Sequence, residues 1–187
     1  MKSFLKKYIE FSDDEYKMFI SKARLKHLKK NERLLFANRK VEKLFFIKSG
    51  IVRGYQIIDG EDITHHFFLE DWFATDYESF LTKKKGELYL EAITDTTVYE
   101  FNKNTLFSFF EDVPKFEKVR TIQAEYAYLQ MVERLRGFQT KELKERYLDL
   151  VCKNSELFNL VPQKHIASYL GVAPQSLSRI KEAIKHI

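Results

Sequence analysis

One cysteine, three prolines, one tryptophan and six glycines serve 187 residues, and each scarcity excludes something. A lone Cys152 forbids an intrachain disulfide and any cysteine-rich metal or iron–sulfur site, so a reducing cytoplasm is the expected setting. Its apolar helical neighbours predict an inert, buried thiol. Six glycines leave no phosphate-cradling loop, and no activated-serine motif is present. No apolar run approaches the roughly 18 residues of a membrane span. The start "MKSFLKKYIEFSDDE" lacks a long apolar core and a small-residue cleavage site, so no secretory leader is expected. No internal repeat or low-complexity segment is found.

What the chain does hold is aromatic: 17 Phe and 10 Tyr suit a sheet with an aromatic interior. The net charge of +5 is unevenly placed. Residues 1–45 carry 13 Lys/Arg against 6 Asp/Glu, residues 46–139 carry 11 against 16, and residues 140–187 carry 8 against 5. Basic ends around an acidic middle admit an acidic partner at the ends and another task for the middle.

Local signals order the chain. Ser12 with Glu15 three residues on forms a capping-box pattern, and Tyr16, Phe19, Ile20 and Ala23 follow at helical spacing. From Leu34 to Phe101 short apolar runs alternate with turn residues; Ser49-Gly50 and Asp59-Gly60 read as hairpin turns. Such strands predict a sandwich or small barrel. From Pro114 to Phe138 an apolar stripe of Phe116, Val119, Ile122, Tyr126, Leu129, Val132 and Leu135 predicts a helix on the order of 35 Å long at ~1.5 Å per residue. The stripe can pack on the barrel or pair with a second copy through Val119, Ile122, Tyr126, Leu129 and Val132. Thr140 is expected to cap the next helix.

The last segment, "HIASYLGVAPQSLSRIKEAIKHI", reads as helix, turn, helix. Ile166, Ala167 and Leu170 supply a buried side, Gly171 the left-handed residue, and Pro174 the first turn of the second helix. Leu177 and Ile180 point inward, which leaves Gln175, Ser176, Ser178 and Arg179 outward, with Lys181 and Lys185 beyond them. Arg pairs with guanine, Gln with adenine, and Ser hydroxyls hold bases or phosphate, so this edge suits a major groove. Gln163, at the front of the first helix, joins the candidate set. The bland alternative is a solvated surface helix.

"IASYLGVAPQSLSRIK" resembles the helix-turn-helix of Crp/Fnr-type bacterial regulators, and "KLFFIKSGIVRGYQ" resembles a strand pair of their cyclic-nucleotide-binding-like barrel. The resemblance covers nearly the whole chain. It implies an α+β architecture: a cyclic-nucleotide-binding-like β-barrel (jelly roll) over residues 1–113, a dimerisation helix over 114–138, and a helix-turn-helix domain over 139–187. It also implies a non-enzymatic, homodimeric transcription regulator on a palindromic double-stranded operator, with RNA polymerase as a further partner. No wing beyond the second helix is expected.

In one respect the chain departs from that pattern. Cyclic-nucleotide binders of the family carry a Gly-Glu pair and an Arg followed by Ser or Thr. Here Ala74-Thr75 and Gly86-Glu87 stand at those positions, below Trp72, and a carboxylate in a phosphate pocket repels the ligand. cAMP binding is therefore not expected, the effector is unnamed, and no cofactor is implied. Two other readings compete. One is a ligand-sensing barrel that signals through protein contacts without DNA. The other is a metal enzyme built on His65, His66 and Glu70, which strand geometry disfavours because neighbouring side chains point to opposite faces.

Overall fold

A computed structural model of the chain describes residues 1–185. Helices α1 (Lys2–Leu5) and α2 (Asp13–Ser21) lead into strands β1 (Ala23–Leu28), β2 (Arg33–Leu35), β3 (Lys43–Ser49), β4 (Val52–Ile58), β5 (Glu61–Phe68) and β6 (Phe73–Ala74). Helix α3 (Tyr77–Thr82), β7 (Tyr89–Ala92), β8 (Thr96–Asn102) and α4 (Lys103–Asp112) follow. A 3-10 turn (Pro114–Glu117) feeds α5 (Lys118–Thr140), and then come α6 (Leu143–Lys153), α7 (Leu157–Leu160), α8 (Gln163–Tyr169) and α9 (Pro174–Lys185).

The expected barrel is a jelly-roll-like sandwich of two four-stranded sheets, ordered β1-β8-β3-β6 and β2-β7-β4-β5. In the first sheet β8 pairs antiparallel with both β1 and β3, with Leu28 opposite Thr96 and Phe46 opposite Tyr99. β3 buries Leu44, Phe45, Phe46 and Ile47 in succession, so both of its faces are covered. Its hairpin turn needs glycine: Gly50 has φ +93°, and a Cβ there would lie 2.4 Å from Thr96 Oγ1. Between β4 and β5, Asp59 and Gly60 both take positive φ, the primed two-residue turn that matches strand twist.

Aromatic rings join helices to the first sheet. Phe19 of α2 stacks 5.0 Å from both Phe101 and Phe116 and lies 5.6 Å from Phe109. The Ser12/Glu15 capping box that starts α2 is present in full.

The chain divides into two compact units. The first comprises Met1–Gly54 and Phe67–Ala127; the second comprises Tyr55–His66 and the chain from Tyr128 onward. The chain crosses between them within β4, within β5 and within α5. The second unit has its own core, with Tyr147, Leu150, Leu157, Val161, Ile166, Leu170 and Leu177 buried.

Two local expectations are corrected. Thr140 ends α5, its hydroxyl donating to the Arg136 carbonyl; Glu142 is the N-cap of α6 and forms a capping box with Glu145. Cys152 is exposed, because its position on α6 falls off the inward stripe of Tyr147 and Leu150. Gly137, inside α5, has open space where a Cβ would stand. Gly137→Ala is therefore expected to stabilise the protein by about 0.5–1 kcal/mol. A urea midpoint that rises at constant m-value checks this.

Candidate nucleic-acid interface and effector pocket

Helix α8 ends in a left-handed turn. Gly171 has φ +73°, and the Val172 N–H donates to the Ala167 carbonyl at 3.0 Å, the bond that closes a helix C-terminus over glycine. Pro174 then opens α9 at its first position, as the sequence predicts. Leu177 is fully buried, which rotates Gln175, Ser178 and Arg179 together onto the exposed side, three and four residues apart. Ser176 and Lys181 are half-buried at the margins of that face. Gln163 Nε2 donates to Ser178 Oγ at 2.7 Å, so the front of α8 is tied to the middle of α9. The Lys185 side chain lies outside the described residues.

Within the same unit the hairpin segment meets α8. Ser168 Oγ accepts from the Thr64 N–H at 2.8 Å and donates to the Asp62 carbonyl at 3.1 Å, while His165 Nδ1 lies 3.9 Å from Asp62 Oδ1. Burial, helped by the charges of Arg134 and His65, pushes the His66 pKa down from 6.5 to about 4. An unfolded chain takes up a proton there as pH falls through 6.5; the folded one refuses it until about 4, so stability present at neutral pH is lost across that window. The loss is expected to reach about 2 kcal/mol at pH 5. Urea titrations at pH 7 and pH 5 check this, since His66→Gln removes that share of the pH dependence.

In the first unit, α3 builds the loop where a cyclic nucleotide would be expected. Its N-cap, Asp76, is buried. Oδ1 accepts from the Ser79 N–H at 3.1 Å, and Oδ2 accepts from the N–H groups of Glu87 at 2.9 Å and Leu88 at 3.1 Å. A Cβ on Gly86 would stand 2.7 Å from that same Oδ2. The loop therefore closes around a carboxylate of its own. The Glu87 side chain is exposed, so the buried acid of this loop is Asp76, which composition did not single out. Ala74 and Thr75 are buried in the sheet: Ala74 pairs with Phe45, and Thr75 Oγ1 donates to the Lys43 carbonyl at 2.8 Å. Trp72 is half-buried, edge-on to Tyr126 with centroids 5.0 Å apart. Lys83, Lys84 and Lys85 are solvated. A further residue that sequence reading missed is Arg53 of β4, 1% exposed, with Nη2 3.7 Å from Glu91 Oε1. Only its place on an inward strand position distinguishes it in the sequence.

The α5 stripe has two fates. Val119 and Ile122 are buried inside their own unit, Val119 as part of its core. Tyr126 and Leu129 are exposed and Val132 is half-buried. Beyond them Tyr128, Met131 and Leu135 are 61%, 63% and 57% exposed, and with Phe138 they recur at spacings of three and four. This half of the helix presents an apolar seam to solvent. Among the described residues no helix is long and apolar enough to cross a membrane.

Residues 25–113 match the family model of the cyclic nucleotide-binding domain. No curated protein matches the chain by sequence. Its fold is similar to that of the c-di-GMP responsive global regulator CLP of Xanthomonas campestris, with a TM-score of 0.76, 13% identity, and 94% of this chain and 92% of that one covered. It is also similar to a CooA mutant from Carboxydothermus hydrogenoformans (TM-score 0.72, 15% identity, 97% and 83% covered). A protein described as a transcriptional regulator of the Crp/Fnr family, from Eubacterium rectale, aligns with a TM-score of 0.71 at 16% identity, covering 94% and 84%.

Proposed function

We propose that this chain, which carries a cyclic nucleotide-binding domain and has the fold of the Crp/Fnr regulators, is a sequence-specific DNA-binding transcription regulator. The carrying observation is the outer face of α9: Gln175, Ser178 and Arg179 stand together in solvent on a helix held from behind by Leu177 and from the side by Gln163. Donors and acceptors so arranged fit base edges in a major groove, with Arg179 suited to guanine and Gln175 to adenine. The chain works as a homodimer in the cytoplasm, joined along the apolar seam of α5. Its operator is palindromic with half-sites about 34 Å apart, so that two α9 helices enter successive grooves. RNA polymerase is its partner at promoters, and no catalysis belongs to it.

Its input is not cAMP, because the buried Asp76 carboxylate already takes the Glu87 and Leu88 amides of this loop. Effector binding changes the relative placement of the two reading helices, which must meet the grooves at once.

A duplex selected from a random library, titrated by fluorescence anisotropy across a salt series, tests the reading. Arg179→Ala is expected to lose about 2 kcal/mol of discrimination between selected and random duplex while keeping most non-specific affinity. Equal binding of every sequence by the wild type overturns specificity. Absence of any salt-dependent binding favours instead a ligand-sensing module that signals through protein contacts. Sedimentation of the full chain at twice its mass checks the dimer.

A further inference from the structure

We infer that Arg134 of α5 is the positioning residue through which the β4–β5 hairpin sets the reading helix. Its guanidinium donates to the carbonyls of His65 and, at 3.4 Å, Thr64 on β5, and to the carbonyl of Tyr169 at 3.2 Å, at the C-terminus of α8. Its Cζ also stands over two rings, 4.5 Å from the centroid of Tyr169 and 5.4 Å from that of Phe138. The neighbouring carbonyl, that of Leu170, accepts from Arg146 Nη2 at 3.3 Å, and the Arg146 guanidinium also lies over Phe138 at 4.9 Å. Two guanidiniums thus close the end of α8, immediately before the Gly171 turn that aims α9.

Arg134 differs from Arg146 in reaching the hairpin as well. Among the described residues no carboxylate pairs with it, and burial lowers its pKa. A guanidinium whose Nη1 and Nη2 donate to neutral carbonyls leaves no counter-ion stranded when a bond is exchanged for water, so this clasp can open without the penalty of a broken buried ion pair. A carbonyl set shared between two segments means that withdrawal of the hairpin removes two of the three acceptors that hold the guanidinium against α8. The Ser168 hydroxyl, bonded to Thr64 and Asp62, is a second tie between the same segments.

The effect on operator affinity rests on the DNA-binding reading; the clasp itself does not, and amide hydrogen exchange of the full-length chain without DNA tests it alone. Arg134→Gln is expected to raise exchange about tenfold at residues 62–66 and 169–173 together, and Arg134→Lys, which keeps the charge and reaches one carbonyl at a time, to restore part of it. Faster exchange in one segment only, or in neither, overturns the clasp. If Arg134→Gln does not fold, Ser168→Ala supplies the milder perturbation, and the same joint rise is expected from it; a rise confined to α8 overturns the inference. With the selected duplex, wild type is expected to show altered exchange at residues 62–66 on binding, and Arg134→Gln to lose that response along with about tenfold in affinity. A wild type that binds the duplex yet transmits nothing to residues 62–66 also overturns it, whereas a wild type that binds no duplex sinks the DNA-binding reading and leaves the exchange result to decide the clasp.

Discussion

Asp76→Ala is expected to destabilise the protein by about 3–5 kcal/mol, the largest loss from any single polar side chain described above. The carboxylate is buried and accepts from three backbone N–H groups on two separate segments, the first turn of α3 and the start of the strand that becomes β7. Hydrogen bonds to a charged group contribute about 1.5–3 kcal/mol each, and an N-cap alone about 1 kcal/mol. Alanine leaves the Ser79, Glu87 and Leu88 N–H groups without the acceptor they share. Asp76→Asn separates charge from shape. Asparagine keeps one oxygen for the Ser79 N–H but turns an NH2 toward the Glu87 and Leu88 donors, so its loss is expected to approach that of alanine. Urea midpoints of the three proteins, compared at constant m-value, decide the matter; a loss under about 1 kcal/mol in both variants would show that the carboxylate does not organise the loop. The same geometry predicts that calorimetry finds no saturable micromolar cAMP binding to the wild type.

Asp76 also marks where sequence reading reaches its limit. Features whose chemistry is local were legible: the Ser12/Glu15 capping box, the Asp59-Gly60 turn, Gly171 at positive φ, and Pro174 opening α9 all act within a few residues of themselves. The architecture followed from their order. Asp76 acts on amides eleven and twelve residues away, and no periodicity or spacing rule predicts that reach. The α5 stripe shows a different limit. A period near 3.6 reveals which residues share a face, not what covers it, and here the cover changes partway along: Val119 and Ile122 meet the chain's own core while Leu129 and Leu135 meet solvent. Thr140 was the cap expected for α6, but the helix starts two residues later at Glu142, which has Glu145 three places on to complete a capping box. Arg134 carried no signal at all, since its acceptors are backbone carbonyls that every sequence possesses.

Gly171→Val is expected to cost about 3 kcal/mol and, on the proposed DNA-binding reading, to abolish selective duplex binding at concentrations where wild type is saturated. Two penalties combine at this position. A β-branched residue at φ +73° leaves its allowed region, which costs about 1–3 kcal/mol. Its Cβ would also stand 2.9 Å from the Phe138 ring, which has the guanidiniums of Arg134 and Arg146 as neighbours, so the ring must shift to admit it. The backbone strain is relieved by opening the turn between α8 and α9, and this rotates Gln175 and Arg179 away from the geometry that Leu177 and Gln163 impose. Gly171→Ala separates the terms, since it keeps the first Cβ contact with less backbone strain, and it is expected to lose about half as much. Comparing duplex selectivity with the urea midpoint for both variants shows whether the reading face fails before the fold does. If Gly171→Val binds its selected duplex as wild type does, the α8–α9 turn does not set the reading helix, and recognition must reside elsewhere on the second unit.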